Sequence, residues 1–286
     1  KLESGVRQGS VISPHWFAIF VNDVLNSLSE SKLGCRIRNV ACCCFMYADD
    51  LIILTASLTD LQALIDICVA GLSIIGLDIN AKKTSFIRVG KKFKSTCANL
   101  TVGLNSVKIS SSPEIRCLGV YLCSGLTLKF SFDHAKHKFY GVVNCILSRV
   151  GNKPDIVIAL CNAQCLSILL YCTEAMLLNK TERIKIAHSH FRLFAKLFHT
   201  FNKEIVDQCM YYMNCLPLQY VIDLRVMKFL DKIARCNNVV LNMLYRVFGE
   251  EAILNVQERH NIARRSVKSW RLCMWDSFVS DANIAL

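Results

Sequence analysis

Two adjacent carboxylates, Asp49 and Asp50, stand inside "CCCFMYADDLIILTAS" (residues 42–57), with apolar residues on both sides. Unpaired carboxylates among apolar side chains are costly, so the pair needs either a turn that exposes it or a cation that compensates it. Asp favours turns through local hydrogen bonds to its own backbone. Two oxygen donors at a hairpin tip also suit Mg2+, which takes one or two carboxylates and completes its shell with water and substrate phosphates. Two such ions about 3.5–4 Å apart serve phosphoryl and nucleotidyl transfer. The pair by itself leaves the turn and the metal site open.

The elements that must position these groups can be read around them. "RIRNVACCCFMYADDLIILTAS" predicts two short strands joined at Ala48-Asp49-Asp50. Upstream, Phe17, Phe20, Val21, Val24, Leu25 and Leu28 share one helical face, with Ser13 expected as N-cap and Pro14 as the first helical residue. Downstream, Leu61, Leu64, Ile65, Cys68, Val69, Leu72 and Ile75 predict a second helix, opened by a capping box of Thr59 and Gln62 and stopped at Gly76. "KTSFIRVG" and "EIRCLGVYL" read as strands, and the basic segment between them as a hairpin. Helices are predicted over 131–150, 154–178, 181–201, 217–236 and 238–247, followed by a basic helical end, "NIARRSVKSWRLCMWDSF". The order gives an α+β fold class: residues 1–125 with an antiparallel sheet and packed helices, then an all-helical region, 126–286.

Composition narrows the class further. The 16 cysteines lie in apolar runs, where reduced Cys acts as a small hydrophobe, so a disulfide-stapled secreted scaffold is set aside. The opening residues do not read as a secretory signal. The most apolar stretch, residues 156–178, carries Asn162, Gln164 and Glu174 and reads as a buried helix, so no membrane partner is expected. Cys161, Cys165 and Cys172 share a face as interior residues. His188 and His190, two apart, do not form a helical zinc pair. The net charge of +12 suits a polyanionic partner or plain solubility equally.

Taken with its surroundings, "FMYADDLIIL" resembles the catalytic hairpin of reverse transcriptases. "SGVRQGSVISPHWFAIFVNDV" resembles the loop and helix of their palm, "GLDINAKKTSFIRVG" a further palm segment with Asn80, Lys83 and Thr84 in place, and "IRCLGVYL" the primer-grip hairpin, with Cys117 where an aromatic residue is common. The form is that of non-LTR retrotransposons, and "LLYCTEAMLLNKTERIKIAHSHFRLFAKLF" resembles their thumb and post-thumb region.

The resemblance implies Asp49 and Asp50 as catalytic metal ligands for two Mg2+ ions in the complete enzyme. It places Arg7, Gln8 and Gly9 against template and nucleotide, Lys83 near the triphosphate, and Leu118 and Gly119 at the primer grip. The implied partners are an RNA template, a DNA primer and dNTPs, and the implied location is the nucleus. The family's third aspartate comes from a strand before residues 4–10, so the chain by itself is expected to be inactive. A non-catalytic remnant or a co-opted nucleic-acid-binding module is the alternative.

Overall fold

In the computed structural model, which describes residues 9–103, 107–151, 153–176, 178–262 and 267–284, the chain forms two compact units, Lys1–Phe130 and Ser131–Leu286.

The first unit opens with helix α1 (Ser13–Glu30). Ile12 already has helical dihedrals (φ −89°, ψ −22°), so Ser13 lies inside the helix rather than capping it. A cap residue needs extended backbone, and Ile12 does not leave Ser13 that geometry. Four small sheets follow among the described residues: antiparallel pairs of β1 (Arg36–Ile37) with β2 (Val40–Ala41), β3 (Cys44–Tyr47) with β4 (Asp50–Ile53) and β5 (Leu100–Val102) with β6 (Val107–Ile109), and a three-stranded sheet in which β7 (Glu114–Cys117) pairs antiparallel with β8 (Val120–Cys123), with β9 (Lys129–Ser131) beyond β8. Helix α2 (Leu58–Ile74) lies between β4 and β5.

Val24 and Leu28 of α1 pack with Leu64 and Cys68 of α2 and with Cys43, which leads into β3. The cysteine run therefore seats the hairpin on the helices: the Cys43 thiol donates to the Leu28 carbonyl at 3.6 Å. Gly34 makes this seat possible. Its φ is +80°, and a Cβ there would lie 2.5 Å from the Cβ of Cys43 and 2.8 Å from the carbonyl oxygen of Leu54.

Two expectations change in this unit. The cap of α2 is Ser57, which accepts from the Asp60 amide at 3.0 Å, and not Thr59. Gln62 is used elsewhere: its amide accepts from the Thr101 N–H at 2.8 Å and donates to the Thr101 carbonyl at 2.9 Å, fastening β5 to α2. "KTSFIRVG" is not a strand. Phe86 and Val89 make only isolated bridges, to Ser111 and Gly125. A turn at Asn80–Thr84 precedes them, and the Arg88 guanidinium bends the chain back onto the Lys92 carbonyl at 2.8 Å, so regular pairing is not sustained.

The second unit is helical: α3 (Asp133–Val150), α4 (Pro154–Leu160), α5 (Leu166–Leu169), α6 (Lys180–Leu197), α7 (Lys203–Tyr212), α8 (Leu218–Ala234), α9 (Val239–Leu244), α10 (Glu250–Arg259) and α11 (Val267–Asp281). The helix expected over 154–178 is interrupted. A π-turn at Cys161–Cys165 separates α4 from α5, and Cys172 takes a left-handed φ of +62° before a 3-10 turn at Thr173–Ala175. That turn carries Glu174, which accepts from Arg225 of α8 at 2.6 and 3.1 Å. Helices α7 and α10 were not anticipated, although Asn202 signals the first by capping it at the Glu204 amide, at 2.9 Å.

The core of this unit includes Phe139, Phe194, Ile222 and Met227. Within it lies Asp223, 1% exposed. Its carboxylate accepts from Arg183, from Arg259 at 2.9 Å, and pairs with Nε2 of His260 at 2.9 Å. No helix among the described residues is long and apolar enough to cross a membrane. All 16 cysteines are free thiols.

Candidate catalytic hairpin and nucleic-acid face

The β3–β4 register pairs Tyr47 with Asp50, which leaves Ala48 and Asp49 as a two-residue turn. Ala48 takes a φ of +52°, a conformation that costs a residue with a Cβ about 1–2 kcal/mol. The tight turn sets Asp49 at the tip and Asp50 at the first position of β4, both exposed. The strands are less buried than their composition suggests: Phe45 and Tyr47 point outward, 43% and 68% exposed. The carboxylates thus avoid desolvation by lying at an exposed turn, the first of the two solutions open to the sequence.

The β7–β8 hairpin repeats this design. Cys117 pairs with Val120 across a turn of Leu118 and Gly119, with φ of +47° and +82°. Positive φ at both central residues is the type I′ pattern, whose twist matches the flanking strands. Burial first, and the nearby Asp50 carboxylate second, push the Cys117 thiol up from its ordinary pKa. The tip of one hairpin therefore lies within electrostatic reach of the end of the other.

Lys83 is exposed on a separate turn whose construction explains the spacing of Asn80, Lys83 and Thr84. The Asn80 side-chain oxygen accepts from the amides of Lys82 and Lys83 at 3.1 and 3.3 Å, and the Thr84 hydroxyl donates to the Asn80 carbonyl at 2.9 Å. Asn80 thus fixes the backbone at Lys82 and Lys83. Lys83 makes no ion pair with Asp49 or Asp50 among the described residues. Gly9 is exposed at a φ of +82°, with open space where a Cβ would stand. Arg7 and Gln8 lie outside the described residues.

Two exposed carboxylates fit part of the shell of a hard cation, with water and phosphate supplying the remainder. No group of three or more His, Cys, Asp or Glu side chains able to hold a metal ion occurs among the described residues.

The helical unit has a candidate surface of its own. Lys185, His188, Arg192, Lys196 and His199 are exposed at spacings of three or four residues along α6 and its end. Arg192, Lys196 and His199 join Tyr140 and Asn144 of α3 and Phe201 around a groove of about 680 Å³. Lys196 donates to the Asn144 side chain at 3.1 Å, fixing one wall to the other. Cations in a row with aromatic rings beside them can take phosphates and stack bases. His188 and His190 diverge: the first is exposed, the second buried.

Residues 1–122 match the family model described as "Reverse transcriptase (RNA-dependent DNA polymerase)". Over 112 residues the chain is 30% identical to the Retrovirus-related Pol polyprotein from type-2 retrotransposable element R2DM of Drosophila melanogaster, covering 39% of this chain and 10% of that protein. The chain thus spans about a tenth of the length of this relative. Both hairpins and the Asn80–Thr84 turn lie inside the matched segment, so residues 1–122 carry homology to the reverse transcriptase domain and are similar to part of a retrotransposon Pol polyprotein.

Proposed function

We propose that this chain is the palm, primer grip, thumb and post-thumb part of an RNA-directed DNA polymerase, with residues 1–125 as palm and 126–286 as thumb and post-thumb. The observation that carries the reading is that two tight hairpins, one bearing Asp49 and Asp50 and the other Leu118 and Gly119, both lie in the segment that matches the reverse transcriptase model. In this reading Leu118 and Gly119 hold the terminal nucleotide of a DNA primer. Gly9, with Arg7 and Gln8, lies against template RNA and the incoming dNTP, and Lys83 offsets charge on its triphosphate. The primer 3′-hydroxyl attacks the α-phosphate, and pyrophosphate leaves. Catalysis rests on alignment of the reacting groups. Asp49 and Asp50 would hold Mg2+, which supplies charge stabilisation at the transferring phosphate when bound. The basic face of α6 holds the template–primer duplex through its phosphates, and the site of action is nuclear.

Two carboxylates do not organise two ions, so a polypeptide of these 286 residues is expected to bind a recessed RNA–DNA hybrid without extending it. Mn2+ binding followed by electron paramagnetic resonance checks the hairpin. Weak binding, lost in Asp49→Asn and in Asp50→Asn, is the expected result. Equal binding by the parent and both variants would overturn the assignment. The row of exposed cations along α6, which needs no metal, also favours a second reading, a nucleic-acid-binding module without catalysis. Under that reading, joining a strand with a third carboxylate upstream restores no primer extension; under the first it does.

A further inference from the structure

Between Ile79 and Pro113 the chain carries seven basic residues and no acidic one, a concentration of charge that neither hairpin uses. The fold gives this segment a fixed seat. The Arg88 carbonyl accepts from the Ser124 hydroxyl at 2.6 Å, the Gly90 amide donates to the Gly125 carbonyl at 2.9 Å, and the Ser112 amide donates to the Phe86 carbonyl at 2.8 Å. All three bonds tie it to the chain entering or leaving β7–β8, at the stem of that hairpin. The Arg88 guanidinium closes the turn from inside by donating to the carbonyls of Lys92 and Ser95, at 2.8 and 3.3 Å. The Lys94 ammonium lies 5.6 Å from the centre of the Phe93 ring. Arg88 and Lys94, with Ser95, Ser111, Ser112 and Ser124, line a cavity of about 360 Å³ whose wall contains no carboxylate.

We infer that this cavity is a phosphate-binding site for the backbone of the nucleic acid whose end the β7–β8 tip holds. The cation pair, with no carboxylate among the lining residues, fits an anion; the neighbouring Glu114 carboxylate accepts from the Cys123 thiol at 3.3 Å. The strands of β7–β8 are four residues long, which separates stem from tip by about 13 Å at roughly 3.3 Å per residue. That is about four to five nucleotides, since an A-like RNA–DNA hybrid rises less per nucleotide than the roughly 3.4 Å of B-DNA. The inference rests on the primer-grip reading and adds a second contact to it, at a defined distance.

The test measures binding of the full chain to a 16-base-pair RNA–DNA hybrid with a recessed DNA 3′ end, by fluorescence anisotropy from low to moderate salt. Lys94→Gln, at an exposed side chain, is expected to lower the slope of log affinity against log salt by about one phosphate contact, regardless of sequence. A single neutral methylphosphonate about four to five nucleotides from the primer 3′ end should weaken the parent and leave Lys94→Gln unchanged. Arg88→Gln should behave alike; if circular dichroism shows it unfolded, Lys94→Gln decides alone. Unchanged affinity and slope in Lys94→Gln, with normal binding by the parent, overturns the site and leaves the polymerase reading standing. A methylphosphonate effect found elsewhere along the strand overturns the placement. Failure of the parent to bind the hybrid at all overturns both readings.

Discussion

Residue by residue, the sharpest contrast is between carboxylates that the fold exposes and polar groups that it buries. Asp49 and Asp50 reach solvent through a turn in which Ala48 adopts a left-handed φ. His190 has the opposite fate. It is 1% exposed, and neither ring nitrogen has a hydrogen-bond partner among the described residues. Desolvation lowers its pKa from 6.5 to about 4, so the folded state holds the neutral ring. The unfolded chain takes up a proton below about pH 6.5 and the folded one does not until about pH 4, so stability falls across that window. The shift corresponds to roughly 3 kcal/mol. His190→Leu should therefore flatten the dependence of urea stability between pH 7 and 4.5 and raise stability at pH 7 by about 1–3 kcal/mol.

Among elements, side-chain clasps between neighbours decide more than propensity does. Gln62 fills both hydrogen bonds of the Thr101 peptide, joining α2 to β5 near a small core of Ile65, Leu100, Val102 and Ile109. Gln62→Ala leaves that peptide unpaired and is expected to cost about 1–3 kcal/mol in denaturant melts. Gln62→Glu, which would set a carboxylate against the Thr101 carbonyl and the Asp66 carboxylate that Gln62 donates to at 2.9 and 2.8 Å, should cost at least as much. In the helical unit Asp223 ties α8 to Arg183 of α6 and to Arg259 and His260 at the end of α10, and Ser277 of α11 bonds the far nitrogen of His260 at 3.1 Å. Asp223→Ala strands the largely buried Arg183 guanidinium, while the half-exposed Arg259 regains water, and should cost about 3 kcal/mol, measured as a lower urea midpoint. Burial raises the Asp223 pKa, but His260, Arg183 and Arg259 outweigh it and hold the carboxyl below its ordinary value. Its stabilisation is present above the ordinary carboxylate pKa and is lost as pH falls through the depressed one.

For the molecule as a whole, the charge is arranged rather than spread. The first 125 residues carry a net charge of +4 and the remainder +8, and both units place cations at grooves. Binding to nucleic acid should therefore weaken steeply with salt while depending little on sequence, since phosphates carry the contacts. Lys196→Gln is expected to lower the salt slope by about one contact. A slope equal to the parent's would remove the α6 face from the interface. Acid should destabilise the helical unit through His190 and Asp223 in turn, the first between pH 6.5 and about 4, the second lower still.

The hairpin turn that carries Asp49 and Asp50, the strands of both hairpins and the succession of α+β and helical regions were legible in the sequence because each rests on local chemistry. Turn residues, apolar periodicity and short motifs act over a few positions. The interruption of the 154–178 helix, the Gln62 clasp and the absence of a strand at "KTSFIRVG" were not legible, because each depends on a partner far along the chain: Glu174 on Arg225, Gln62 on Thr101, Val89 on Gly125. The same holds for the basic segment. Its seven cations are visible in the sequence, but their attachment to the stem of β7–β8 comes from hydrogen bonds spanning some 35 residues, such as that between Ser124 and Arg88. Local chemistry determined which charged and turn-forming groups this chain presents, and long-range pairing decided where within each unit they stand.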